Sequence, residues 1–146
     1  MHEVVLKRFL LGEASSADLA ADLVGLRAPG EPPGMRLSAH YHIVGLDEPF
    51  TLKPEHVLRL VDALLEGTLT GAQVADIIFC IEARTESWEW SDEDESGERV
   101  ANALFWLGTP EINYPLTPQN LAKIRSFLHT GVNSFTKADT RAPREA

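Results

Sequence analysis

The stretch from Pro54 to Ile81, PEHVLRLVDALLEGTLTGAQVADIIFCI, constrains the fold most. Its first half sets Val57, Leu58, Leu60, Val61, Leu64 and Leu65 at helical spacing. Pro54 suits the first turn of that helix, where a missing N–H costs nothing, and Gly67 ends it. Thr70 or Gly71 then opens a second helix carrying Val74, Ile77, Ile78, Phe79, Cys80 and Ile81. That run is apolar on nearly every side, and such a helix is normally the central, buried one. Two helices in close succession, one of them needing cover all round, demand a helix-on-helix architecture.

The rest of the chain supplies the cover. Residues 3–11 bring Val4, Val5, Phe9 and Leu10 near one helical face, and Gly12 stops them. Ser15 and Asp18 match a capping box, with Asp in place of Glu, ahead of Leu19, Leu23 and Leu26. Ala28 to Gly34, APGEPPG, breaks any helix and reads as loop. A helix with Val100, Ala103, Leu104 and Leu107 ends at Gly108-Thr109-Pro110. Thr117-Pro118 opens a last helix with Leu121, Ile124 and Leu128 on one face, closed by Gly131.

One segment has the strand period. From 36 to 44, Leu37, Ala39, Tyr41 and Ile43 alternate with Ser38, His40 and His42. Its expected partner is Phe50 to Leu52, across the turn-like Gly45 to Pro49. The predicted fold is therefore all-α: one domain over residues 1–131, of five or six helices built from helix hairpins, with a small β-hairpin near residues 36–52. Residues 132–146 are polar and aperiodic and read as a flexible tail. The alternative is an α+β domain in which Glu86 to Trp90 adds a third strand.

Charge is unevenly spread. Between Glu82 and Arg99 stand eight acids (Glu82, Glu86, Glu89, Asp92, Glu93, Asp94, Glu95, Glu98) against Arg84 and Arg99, a net of -6 out of -9 for the chain. From Gln119 onward five bases face two acids, a net of +3. So acidic a chain repels a phosphate backbone, which argues against nucleic acid as partner. It carries no run of 18 apolar residues, so no membrane span is expected. The opening MHEVVLKRFLLGE is broken by Glu3, Lys7 and Arg8 and reads as an amphipathic helix of a cytoplasmic protein. The single cysteine, Cys80, excludes an internal disulfide and a multi-cysteine metal site.

Residues 88–98, WEWSDEDESGE, are the best functional lead. A helix–loop–helix calcium frame begun at Asp92 places Asp94, Ser96 and Gly97 correctly. It then fails, with Arg99 at the aliphatic eighth position and Ala103 at the twelfth, where a bidentate Glu belongs. The acids also suit a helix N-terminus, with capping frames at Ser91/Asp94 and Asp92/Glu95 and a favourable dipole. Trp88 and Trp90 share a face if the segment is extended, with one plugging the core and the other exposed, or both packed under the loop. Tryptophan beside acids suits a basic protein partner.

Other candidates carry less. His40 and His42 form a pair without a third metal ligand. Cys80, among apolar neighbours, reads as a small core residue. Asp76 on the same helix sits on an exposed edge or pairs with an arginine. No G-x-S-x-G, glycine-rich phosphate loop or H-E-x-x-H is present, so no enzymatic activity, cofactor or metal is expected.

The segments FLLGEASSADLA, ESWEWSDEDE and GTPEINYPLTPQN resemble the immunity (antidote) proteins of bacterial toxin systems, over roughly Val57 to Leu128. The resemblance implies a one-to-one complex with a basic toxin domain. Its partner-binding candidates are Trp88, Glu89, Trp90, Asp92, Glu93, Asp94 and Glu95. The reading is a non-enzymatic protein-binding module. Its alternatives are a structural or accessory domain and, more distantly, a calcium-binding module.

Overall fold

The helix expected to be central is buried as expected. The computed structural model describes residues 1–26 and 42–140. It comprises α1 (Glu3–Leu10), α2 (Ser16–Leu23) with a 3-10 turn Val24–Leu26, β1 (Phe50–Thr51), α3 (Pro54–Glu66), α4 (Gly71–Ala83), β2 (Trp88–Glu89), α5 (Glu95–Gly108), α6 (Pro118–Thr130) and a 3-10 turn Lys137–Thr140. Along α4, Val74, Ile77, Ile78, Cys80 and Ile81 are buried, and only Phe79 of the apolar run reaches the surface. The centre is occupied instead by α3 and α5, each packed on three helices, and α4 packs chiefly on α5. Each such isoleucine stabilises the fold by about 1.5–3 kcal/mol through area removed from water.

The helix termini follow local chemistry. The Ser15 and Asp18 box forms in both directions, Asp18 N–H donating to Ser15 Oγ (3.1 Å) and Ser15 N–H to Asp18 Oδ2 (3.2 Å). Thr70 and Gln73 form a second box, which places Thr70 as the N-cap of α4. Thr117 Oγ1 accepts from Asn120 N–H (3.1 Å), with Pro118 in the first turn of α6. Gly67 and Gly131 end α3 and α6.

Six helices match the expected all-α class, and α1/α2, α4/α5 and α5/α6 pack as chain neighbours. One helix departs from the hairpin scheme. α3 packs chiefly on α6, then on α5 and α1.

The β element differs from the expected hairpin. β1 and β2 pair in parallel, Phe50 opposite Trp88 and Thr51 opposite Glu89. Phe50 N–H donates to Ser87 O and Leu52 N–H to Glu89 O, both at 2.8 Å. Parallel pairing needs a long crossover, which α3 and α4 supply. The strand considered at Glu86 to Trp90 thus exists, two residues long. Residues 36–41 lie outside the described residues. Of the rest of that segment, Val44 bridges His2 in parallel.

Two further departures bear on the site. On α1, Val4 is half-exposed, whereas Glu3 and Leu6 face the core. Residues 132–140, expected to be tail, lie against α5 and α6 through Phe135 and Asp139. Residues 141–146 lie outside the described residues.

Candidate functional site

The acid-rich segment is fastened to the body of the protein by a buried carboxylate. Glu3, at the start of α1, is 0% exposed. Its Oε1 accepts from Arg84 Nε (3.0 Å) and Ser87 Oγ (2.7 Å), and its Oε2 accepts from Trp88 Nε1. Both oxygens are therefore satisfied, and a buried charge is tolerated only on such terms. Arg84 follows α4, Ser87 precedes β2, and Trp88 lies within it. One carboxylate thus ties the first helix to the end of α4 and to the strand that leads into the acidic run.

Trp88 is accordingly not a surface residue. It is 1% exposed, with its ring edge-on to Phe50 at 5.9 Å. A ring so enclosed touches no partner, which corrects the expectation that Trp88 binds one. The reason is chemical: its N–H finds a full carboxylate inside the core, so the whole side chain can be buried without an unsatisfied donor. Trp90 is half-buried and packs against the core's edge. Glu89 is exposed, and its Oε1 accepts from Thr51 Oγ1 (3.1 Å) across the two strands.

Beyond Trp90 the chain turns tightly into α5. Ser91 Oγ accepts from Glu93 N–H (3.1 Å), and Asp94 Oδ1 accepts from Gly97 N–H (2.7 Å). Asp94 is therefore the N-cap, in place of Ser91 or Asp92. The frame shifts because Gly97 lies directly on the Ser91 carbonyl: a Cβ there would come within 1.6 Å of that oxygen. Only glycine permits this approach. Glu95 pairs with Arg99 one turn on.

Asp92, Glu93, Asp94 and Glu95 are all exposed. Asp94 and Glu95 have the internal roles just given. The carboxylates of Asp92 and Glu93 make no hydrogen bond or ion pair among the described residues. The two bases of the segment are engaged elsewhere. Arg84 faces Glu3 and Glu86 (3.4 Å), and Arg99 faces Glu95 and the His129 carbonyl (3.3 Å). Among the described residues, neither base of the segment thus neutralises Asp92 or Glu93.

The remaining candidates resolve into the core or the surface. Ala103, the failing position of the calcium frame, is buried, and Asp94 is engaged as a cap. Among the described residues no three His, Cys, Asp or Glu side chains are placed to hold a metal. His42 is exposed, and His40 lies outside the described residues. Cys80 is buried, and burial, then Asp76 and Glu3, push its thiol up to about 12, so it stays protonated. Asp76 is buried rather than on an exposed edge. No helix among the described residues is long and apolar enough to cross a membrane.

Sequence reasoning passed over Glu3, Arg84 and Ser87. Glu3 carried a signal: it lies three and seven residues before Leu6 and Leu10, on the apolar stripe of α1. A charge on such a stripe needs a buried partner. No protein-family model, curated protein or solved structure matches the chain.

Proposed function

We propose that this chain is a non-enzymatic protein-binding module whose exposed acids from Glu89 to Glu95 dock a basic protein domain. The observation that carries the reading is the pair Asp92 and Glu93. They are exposed, adjacent and without a partner among the described residues, on a loop whose two ends are pinned. Like charges held side by side repel one another, and among the described residues no cation pairs with these two. A partner of opposite charge does. A rigid presentation also limits the ordering entropy lost on binding.

The partner class is a basic toxin domain, and the chain is its inhibitor in the cytoplasm of the producing cell. The contacting residues are Glu89, Trp90, Asp92, Glu93, Asp94 and Glu95, with Trp88 supporting them from beneath. Trp90, half-buried at the edge of the patch, supplies an aromatic anchor. A structural reading of the acids is favoured by Asp94 and Glu95, which cap α5 and pair with Arg99. It leaves Asp92 and Glu93 with no role beyond the favourable dipole of α5.

The test replaces Asp92 with Asn and Glu93 with Gln and measures association with a basic toxin domain that the unaltered chain binds. Steering by a charged patch changes on-rates by roughly 10-fold or more at low salt. A slower on-rate with an unchanged melting temperature supports docking. An unchanged on-rate overturns it.

A further inference from the structure

On the far side of α5 from its acidic end, a groove lined by aromatic rings is filled by the chain's own C-terminal segment. Trp106 stands edge-on to Phe127 of α6 (4.8 Å) and to Tyr114 in the α5–α6 connector (6.2 Å). Phe135 enters between them. It stacks flat on Tyr114 at 3.8 Å and 5°, and meets Trp106 edge-on at 5.1 Å. Four residues later, Asp139 Oδ2 pairs with Lys123 Nζ (2.7 Å), which also lies over the Phe135 ring (5.9 Å). Asn120 Nδ2 donates to the Asp139 carbonyl (3.1 Å) and to Pro115 O (2.8 Å).

These contacts are all made by side chains on the groove's side. No backbone-to-backbone hydrogen bond joins residues 132–140 to the rest of the described residues. Every residue of the segment is exposed or half-buried. Its hinge is Gly131, at φ +76°, where a Cβ would come within 2.7 Å of Glu95 Oε1. A segment held by one aromatic ring, one carboxylate and one side-chain-to-backbone hydrogen bond, and preceded by a residue free to adopt left-handed backbone, opens locally at less cost than a helix of the core. What it uncovers is a preformed aromatic wall beside an ammonium and an amide, the composition of a peptide-binding groove.

We propose that residues 132–140 are a self-seated strap. They occupy in cis a groove that accepts, in trans, a peptide with an aromatic residue followed four positions later by a carboxylate. Trp106 and Tyr114 take the ring, Lys123 takes the acid, and Asn120 fixes the backbone. The groove's aromatic and Lys123 contacts use none of the acids of the proposed docking surface, although the hinge at Gly131 adjoins Glu95.

The test uses a fluorescein-labelled peptide, VNSFTKADT, identical to residues 132–140. It is titrated by fluorescence polarisation against the full chain and against full chain carrying Phe135→Ala and Asp139→Asn, which weakens the strap and leaves the groove intact. The peptide is expected to bind the double variant at least about tenfold more tightly than the unaltered chain, because the competing cis segment is removed. A peptide with alanine in place of its phenylalanine is expected not to bind. Equal affinity for both chains, or no binding to a folded double variant, overturns the proposal. Should the variant not fold, hydrogen exchange on the unaltered chain decides. Amides of 133–140 are expected to exchange at least about tenfold faster than those of 122–130 in α6, and equal protection overturns the strap. A concentration-dependent dimer of the unaltered chain with the segment crossing between copies also overturns it, since the seat would then not be in cis.

Discussion

Replacing Glu3 with Gln removes one charge and almost no volume from the centre of the molecule. The carboxylate accepts three hydrogen bonds, from Arg84, Ser87 and Trp88. A glutamine has one acceptor oxygen. If that oxygen faces Arg84 and Ser87, the amide N–H₂ confronts the Trp88 N–H, donor against donor. If it faces Trp88, Arg84 and Ser87 lose their acceptor. A buried donor left unsatisfied costs about 1–3 kcal/mol, and breaking a buried ion pair about 3–5 kcal/mol. The Arg84 side chain is 26% exposed and has Glu86 at 3.4 Å, so water and Glu86 recover part of the loss. The lower end applies, about 3 kcal/mol, or a fall in melting temperature of roughly 6–12 °C for a domain of this size. Urea unfolding followed by far-UV circular dichroism measures it, with near-UV dichroism reporting Trp88. Adding Arg84→Gln is expected to cost less than the sum of the two single losses, since residues in one network couple by about 0.5–3 kcal/mol. A loss below about 1 kcal/mol for Glu3→Gln, with an unchanged near-UV spectrum, refutes the reasoning that a full charge is needed there.

Further consequences concern the cap, one histidine and the cysteine. Asp94→Ala is expected to lower stability by about 1 kcal/mol through loss of the cap, whereas Asp92→Asn with Glu93→Gln changes it by less than about 0.5 kcal/mol, both read from urea midpoints. His56 Nδ1 accepts from Lys53 N–H (2.9 Å), and burial lowers its pKa below the ordinary 6.5 against the opposing pull of Glu55. The unfolded chain therefore takes up the proton first as pH falls. The histidine's contribution is whole above pH 6.5, declines as pH drops toward the folded value and is constant below it. His56→Gln, which keeps an acceptor at the same helical position, is expected to flatten that part of the stability profile, seen in thermal melts across the window. Cys80, held near 12, is expected to react with a thiol reagent at pH 8 on the order of a thousandfold more slowly when folded than in denaturant.

The elements legible in the sequence are those set by neighbours along the chain. Ser15 with Asp18, Thr117 with Pro118, and the terminating Gly67 and Gly131 act within one helical turn, and each lies where its local chemistry places it. The pairing of Phe50 with Trp88 does not follow from either segment alone, because two helices intervene. The period-two pattern ahead of Phe50 suggested a nearer partner, and the crossover prevailed. Of the candidate site, the exposure of the acids was legible from their hydration alone. That one tryptophan plugs the core was legible from its size; that it is Trp88, tied to Glu3 85 residues away in sequence, was not. The cap moved to Asp94 for a similar reason: the contact of Gly97 with the Ser91 carbonyl is a backbone contact that no capping pattern encodes. The segment after Gly131 looked like tail because a single Phe and a single Asp anchor it, too few to form a period.

The most direct measurement of the central claim is the association rate between this protein and the basic toxin domain proposed as its partner, by stopped flow, at low and high salt. With Asp92→Asn and Glu93→Gln, the account predicts an on-rate reduced by roughly tenfold at about 20 mM salt. The two proteins are expected to converge at about 500 mM, where exposed charges are screened. Identical on-rates for the two at low salt contradict it.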